Sequence, residues 1–298
     1  MFKFFTLMTL GASLAISCSA ASAQLAKSVQ PAAFIEQVTA SPAQIDPCAK
    51  AASSTDSLDF LSGNKDAKHI IILIGGIHNT YHYFDSWVSK LSSTDTAVIG
   101  WNHDHSSMRM TLAASELSCQ IAELKNKNVE SLTIIAHSMG ALVAKGAIDS
   151  MTAAGKTDAY AKIDLWTLGA PWGGFALADM MLIMPWSAQI SQAIGLPMGI
   201  DIGPSSGYMK NLSQPMPMNG SLHIFLGTDD TIALPEVDST KKRYDSIQSL
   251  ATSVSSVEGS KHDDYNILAV TDVIAALHHE PAKHTASLPA TLTGDSHE

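Results

Sequence analysis

The segment LTIIAHSMGALVAKG, residues 132–146, constrains the fold of this chain more than any other stretch. Its apolar first half predicts a strand that is buried on both faces, and the small residues after Met139 predict a helix packed closely on a sheet. A serine at such a tight junction projects outward, and its neighbours must be small, as Ala136 and Gly140 are. The junction therefore predicts that Ser138 is exposed as a nucleophile, with a helix-capping serine as the plainer alternative.

Further apolar runs of the same kind predict the other strands of a sheet. They cover residues 69–76, 96–101, 163–169 and 222–227. Two stretches show helical periodicity instead, with apolar residues at Ala114, Leu117, Ile121 and Leu124, and at Ile267, Val270, Ile274 and Leu277. This alternation predicts a mostly parallel central sheet with helices on both faces. Sites in such α/β domains form at the carboxyl ends of the strands.

The first 23 residues have the features of a secretory signal: a basic start, a short apolar run and small residues before Gln24. We expect cleavage after Ala23 and export to the periplasm or the extracellular medium. A lipoprotein signal with Cys18 as the acylated residue is the alternative. The rest of the chain divides into an N-terminal arm (24–67), one α/β domain (68–279) with an insertion at about 172–220, and a flexible tail (280–298).

The net charge of −10 narrows the range of partners. Nucleic acids and anionic lipid surfaces attract basic proteins, so neither is an expected partner, and any contact with a lipid surface would be apolar. The histidines are scattered and no metal-binding motif is present, so no metal is expected. Removal of the signal would leave Cys48 and Cys119, which form either one disulfide or two separate buried thiols.

The insertion at about 172–220 interrupts the alternation of strands and helices. It is rich in Met, Pro and Gly, and it has no charged residue from Met180 to Ile200. Its prolines and glycines argue against a membrane helix. We interpret it as a lid over the carboxyl edge of the sheet, in which Trp172, Met181 and Trp186 contact the substrate; an ordinary buried cap is the alternative.

Residues 136–140 have the form A-x-S-x-G, a variant of the G-x-S-x-G motif. Together with the predicted strand before it and the helix after it, this motif resembles that of the α/β-hydrolase superfamily, in particular its secreted bacterial esterases and triacylglycerol lipases. The resemblance extends from about Lys68 to Leu277. It implies an α/β-hydrolase fold with a lid or cap insertion, and a triad in the chain order nucleophile, acid, histidine.

The same resemblance assigns the two partners of Ser138. The segment TDDTIALP follows the strand 222–227 and resembles the acid loop of the family, which selects Asp230, with Asp229 as the alternative. His262 lies on a loop before the last helix, where the family has its base. His137 is adjacent to the serine, but we expect its side chain to point elsewhere.

Backbone N–H groups for a developing oxyanion are also implied by the resemblance. One is that of Met139, directly after the nucleophile. The other is that of Ile77, in a turn where Gly75 replaces the histidine usual in the family. Because of this replacement, the alignment of this turn with the family allows a shift of one residue, so Gly76 and His78 are the alternatives to Ile77 as the donor.

These features predict a secreted serine hydrolase that cleaves small-molecule or lipid esters through an acyl-enzyme. Lipid-like or medium-chain esters are the expected substrates. The same triad would also serve an acyltransferase or a peptidase, and a catalytically silent binding protein could retain the scaffold.

Overall fold

The computed structural model describes residues 48, 57–77, 79–103, 109–124, 129–176, 178–179, 199, 201–235 and 237–277. The predicted signal segment with Cys18, most of the N-terminal arm, Met181 and Trp186 of the insertion, and the predicted tail lie outside the described residues. Within the described ranges, no helix is long and apolar enough to cross a membrane.

The described strands form one seven-stranded sheet in the order β1-β3-β2-β4-β5-β6-β7. The strands are β1 (Ser57–Gly63), β2 (His69–Ile74), β3 (Thr96–Asn102), β4 (Ser131–His137), β5 (Lys162–Leu168), β6 (Gly220–Gly227) and β7 (Ser253–Val257). Every neighbouring pair is parallel except β1 with β3. The predicted fold class is therefore confirmed: the chain has the α/β-hydrolase fold, with a mostly parallel sheet between helices.

Strand β1 was not predicted from the sequence. It lies within residues 24–67, the range assigned to an N-terminal arm, so the sheet begins before residue 68. Its residues are half-buried or exposed throughout, and it pairs with β3 through an irregular register near Ser62. Such an edge strand lacks the continuous apolar run by which the central strands were recognised.

The helices whose bounds the structure describes lie between the strands and after the last one. They are α1 (Asp85–Leu91), α2 (Met110–Leu124), α3 (Met139–Ala153), α4 (Gly207–Asn211), α5 (Asp238–Gln248), α6 (Tyr265–Leu268) and α7 (Val270–Leu277), with short 3-10 turns at Tyr81–Phe84 and Thr157–Ala159. All four apolar residues predicted to form one face of α2 are buried. That periodicity prediction is confirmed.

The prediction for the last helix was partly wrong. The apolar stripe starting at Ile267 belongs to two short helices, α6 and α7, which are separated at Ala269. Ile267 is 70% exposed, whereas Tyr265 and Val273 are fully buried. Because the helix is interrupted at Ala269, one helical period does not describe both segments.

Two apolar cores lie on the two faces of the sheet. The larger one contains side chains of α2 and α3, and the smaller one contains side chains of α1, α6 and α7. Strand β4 contributes to both, since Ile134 belongs to the larger core and Ile135 to the smaller one. This double burial explains the unbroken apolar sequence before Ser138.

The two described ends of the insertion are held against each other and against α2. The backbone N–H of Phe175 donates to the carbonyl of Ile202 over 3.0 Å. The buried carboxylate of Asp201 accepts a hydrogen bond from the N–H of Met110 over 2.8 Å and pairs with the guanidinium of Arg109. The insertion therefore leaves and rejoins the domain at fixed points.

Cys48 and Cys119 form a disulfide, which settles the alternative that the sequence left open. The bond joins residue 48 to α2 across 71 positions of the chain. A cross-link over a loop of this length restricts the unfolded chain strongly.

We predict that Cys48→Ser lowers the free energy of unfolding by about 2–4 kcal/mol, because the cross-link no longer restricts the unfolded chain. Urea denaturation with and without dithiothreitol measures this. The reductant should bring the wild type to the midpoint of the variant and leave the variant unchanged. An equal midpoint for oxidised wild type and variant would contradict the prediction.

Candidate active site

Ser138 has an unusual backbone conformation. Strand β4 ends at His137 and α3 begins at Met139, and Ser138 between them has φ 54° and ψ −131°. It is the one non-glycine residue with positive φ in the described ranges, a strained geometry that costs roughly 1–3 kcal/mol. Its side chain makes no capping hydrogen bond to α3. The helix-capping interpretation is thus wrong, and the strain needs another explanation.

Glycines bring the loop after β2 against this turn. A β-carbon at Gly140 would lie 2.1 Å from the carbonyl oxygen of Gly75, and one at Gly76 would lie 2.7 Å from Cβ of Ser138. Neither position accepts a side chain without displacing the backbone. The turn that contains Ile77 is therefore packed directly beside Ser138.

The backbone N–H of Met139 also lies at this turn. As the first residue of α3, Met139 has an N–H group without an acceptor inside the helix. The assignment of Met139 and Ile77 as oxyanion donors stays a prediction. His78, one of the alternatives to Ile77, lies outside the described residues.

Three side chains from distant parts of the chain meet at this turn. Oγ of Ser138 is 2.8 Å from Nε2 of His262, and Nδ1 of His262 is 3.0 Å from both carboxylate oxygens of Asp230. Ser138 and Asp230 are buried, while the imidazole of His262 is 13% exposed. Asp229, the alternative acid, is exposed to solvent. The structure thus brings Ser138, His262 and Asp230 into one continuous chain of hydrogen bonds.

The carboxylate of Asp230 is held from several sides. One oxygen accepts hydrogen bonds from the N–H groups of Ile232 and Ala233, each over 2.9 Å, and the other accepts one from the hydroxyl of Tyr265 over 2.8 Å. Burial alone would raise the pKa of Asp230, but the hydrogen bonds from His262, Ala233 and Tyr265 together bring this pKa below its usual value. The carboxylate is therefore charged and fixed in orientation.

Tyr265 was not predicted as part of the site. It is fully buried, and its hydroxyl accepts a hydrogen bond from the N–H of Gly227 over 2.6 Å while donating to Asp230. Gly169, with φ 58°, makes room for it, because a β-carbon there would lie 2.5 Å from the tyrosine ring. The sequence gives one signal, that Tyr265 follows His262 by three residues, but this spacing alone does not indicate a contact with the acid.

His137 also belongs to the site, and the expectation that it points elsewhere was wrong. Its Nε2 lies 2.7 Å from the backbone carbonyl oxygen of His262, and its ring stacks on Tyr83 with centroids 4.2 Å apart. Burial, and then the proximity of His262, lower the pKa of His137 to about 3. His137 is therefore neutral near neutral pH, and its Nε2–H donates a hydrogen bond to the carbonyl oxygen of His262.

The remaining predicted site residues are not brought to Ser138 by any contact in the described part of the chain. Trp172 is fully buried within the larger core, and its substrate contact stays a prediction. Met181 and Trp186 lie outside the described residues. Across the described ranges, no cluster of His, Cys, Asp or Glu could hold a metal ion.

Comparison with known proteins gives the same fold. Residues 84–176, a stretch that contains Ser138, match a family described as an alpha/beta hydrolase of unknown function (DUF900). No curated protein matches the chain by sequence.

Several solved structures are similar to this chain, at low sequence identity. A monoacylglycerol lipase of Paleococcus ferrophilus is 10% identical over 74% of this chain and 98% of its own, with a TM-score of 0.50. A carboxyl esterase of Bacillus coagulans is 11% identical over 76% and 99%, with a TM-score of 0.50. An esterase of Exiguobacterium antarcticum is 13% identical over 75% and 94%, with a TM-score of 0.51. At these identities the likeness establishes a shared fold.

We predict that His137 makes the folded chain sensitive to acid. The folded-state pKa of His137 is about 3 instead of the ordinary 6.5, so between these values the unfolded chain binds a proton at this residue that the folded chain does not. Stability should therefore fall as the pH drops through this range, by at most about 1.4 kcal/mol per pH unit from this group.

Urea unfolding at a series of pH values, from about pH 7 to pH 4, tests this effect. The free energy of unfolding of His137→Gln should depend less steeply on pH than that of the wild type, because glutamine does not titrate. Parallel curves for the two proteins would show that His137 titrates normally in the folded state.

Proposed function

We propose that this chain, which has the α/β-hydrolase fold, is a serine hydrolase that cleaves carboxylic esters through an acyl-enzyme. The observation that carries the proposal is the 2.8 Å contact between Oγ of Ser138 and Nε2 of His262, at a strained turn after a central strand. A strained serine beside an imidazole nitrogen, with a carboxylate on the other nitrogen, is the arrangement that activates a hydroxyl as a nucleophile.

In the first half of the reaction, Oγ of Ser138 attacks the ester carbonyl while Nε2 of His262 takes the hydroxyl proton. The carboxylate of Asp230 holds Nδ1–H of the imidazole, fixes its tautomer and stabilises the imidazolium. The imidazolium then protonates the leaving alcohol as the carbon–oxygen bond of the ester breaks. In the second half, His262 deprotonates a water molecule that attacks the acyl-enzyme, and the imidazolium then returns this proton to Oγ of Ser138 as the acyl bond breaks and the acid is released.

The tetrahedral intermediate carries a negative oxygen, which requires hydrogen-bond donors. We assign this role to the backbone N–H groups of Met139 and Ile77. The close packing of Gly76 against Ser138 supports this assignment, because it brings the loop after β2 to the side of the nucleophile. Donors of this kind contribute about 2.7–4 kcal/mol each to lowering the barrier.

We further propose that the substrates are lipid-like or medium-chain esters and that the protein acts after export. The long uncharged, Met-rich part of the insertion supports an apolar acyl site, and the signal-like first 23 residues support export. The similar structures include a protein named as a monoacylglycerol lipase, which agrees with an acylglycerol or a related ester as substrate. The mechanism needs no cofactor.

A panel of p-nitrophenyl esters and p-nitroanilides tests the reaction class. We predict that the wild type hydrolyses esters of medium chain length, and that Ser138→Ala reduces the rate to the uncatalysed background because the nucleophile is lost. Cleavage of anilides in preference to esters would assign the site to a peptidase. A product other than the free acid, formed when lipid alcohols are supplied, would assign it to an acyltransferase.

Replacement of the two adjacent acids in turn tests the role of Asp230. Asp230→Asn should lower kcat by up to about 10⁴-fold, because the amide no longer holds the imidazole in the required tautomer. Asp229→Asn is the matched control, since this neighbouring side chain is exposed, and its kcat should stay within about twofold of wild type. Equal losses in both variants, or a loss in Asp229→Asn alone, would contradict the assignment.

A further inference from the structure

We propose that His137 is a positioning residue of this site: its Nε2–H bond to the backbone carbonyl of His262 keeps the imidazole of His262 within reach of Ser138. The inference rests on the proposed function for its consequence in catalysis. Its structural part concerns the loop that carries His262 and can be tested without a substrate.

The loop that carries His262 is held by contacts to its backbone. The carbonyl oxygen of His262 accepts the hydrogen bond from His137 over 2.7 Å. Further along, the N–H of Asn266 donates to the hydroxyl of Tyr83 over 3.2 Å, and the indole N–H of Trp87 donates to the carbonyl of Asn266 over 2.7 Å. Of these contacts, the one from His137 is made to the residue whose imidazole meets Ser138.

Tyr83 links two of these contacts. Its ring stacks on His137 with an interplanar angle of 11°, and its hydroxyl accepts the hydrogen bond from Asn266. His137, Tyr83 and the segment from His262 to Asn266 therefore form a closed ring of contacts. A ring of this kind fixes the loop more firmly than any single hydrogen bond, because each contact limits the movement of the others.

The position of His137 in the chain couples the base loop to the nucleophile. His137 is the last residue of β4 and precedes Ser138, so one short backbone segment carries both the nucleophile and the donor that holds the base. Its other ring nitrogen, Nδ1, is buried and has no hydrogen-bond partner among the described residues, and a β-carbon at Gly76 would lie 3.1 Å from it. His137 thus lies between the loop after β2 and the loop of His262.

The charge state of His137 suits this role. The carbonyl oxygen of His262 can only accept a hydrogen bond, so the Nε2–H tautomer of His137 is the one that satisfies it. The ring centroids of His137 and His262 are 4.9 Å apart, and a positive charge on His137 would oppose formation of the His262 imidazolium. Burial keeps His137 neutral, so it positions His262 without this repulsion.

Two substitutions separate the hydrogen bond from the packing. His137→Phe keeps a ring against Tyr83 but removes the donor, whereas His137→Gln removes the ring but places an amide N–H near the position of Nε2. We expect kcat and the rate of labelling by a fluorophosphonate to fall about 10- to 100-fold in His137→Phe, with little change in KM, and to recover to within about threefold of wild type in His137→Gln. If His137 acted only through packing, His137→Phe, which keeps the ring, would retain more activity than His137→Gln, which loses it.

His223→Phe is the matched control. His223 also stacks on an aromatic ring, that of Trp166 at 4.0 Å, and its two ring nitrogens make hydrogen bonds to Ser221 and Ser253. It lies on β6, and the side-chain contacts described for it are to Trp166, Ser221 and Ser253, none of which belongs to the site. His223→Phe should therefore leave kcat and the labelling rate within about twofold of wild type. Wild-type rates in His137→Phe, or equal losses in His137→Phe and His223→Phe, would overturn the proposal.

NMR of imidazole protons and ¹⁵N-labelled histidines tests the positioning role of His137 without a substrate. The Nδ1–H proton of His262, bonded to Asp230, should give a sharp downfield signal in the wild type and in His137→Gln and a broadened one in His137→Phe. The ¹⁵N shifts of His137 in the wild type should show a neutral ring protonated at Nε2. If the wild type fails to react while these signals behave as expected, the proposed function fails and the positioning role stands. An unchanged His262 signal in His137→Phe, or a proton on Nδ1 of His137, would overturn the positioning role.

Discussion

The site depends on the strained backbone of Ser138, which is held by close packing on both sides. A left-handed φ is unfavourable for serine, and the turn persists because β4 is buried on both faces and α3 begins immediately after it. Gly76 and Gly140 allow the loop after β2 to lie against this turn, where any side chain would collide. The strain is thus balanced by core packing, and its result is a hydroxyl directed away from the helix toward His262.

The second half of the site is a buried polar network around Asp230. The carboxylate accepts hydrogen bonds from two backbone N–H groups, from His262 and from Tyr265, which compensates for its removal from water. Because these donors belong to the loops after β6 and β7 and to the start of α6, the network also fixes the positions of those segments. Packing therefore places the nucleophile, and hydrogen bonds place its two partners.

The resemblance to α/β hydrolases predicted the loops that carry Asp230 and His262, whereas the sequence itself predicted the central strands and the turn at Ser138 from local signals, long apolar runs and the serine motif. It did not predict β1, whose half-exposed edge position leaves no apolar run. It also missed Tyr265 and misjudged His137. Their roles arise from contacts across the fold, to Asp230 and to the carbonyl of His262, and neither residue type nor spacing reveals such contacts.

The most direct test of the account is the mass of the protein after reaction with a fluorophosphonate, followed by peptide mapping of the adduct. The account predicts one adduct per chain, on Ser138, that forms in the folded protein but not in protein denatured before the reagent is added, nor in His262→Ala. No adduct on Ser138 in the folded wild type would contradict it, and so would labelling of Ser138 at the same rate in His262→Ala.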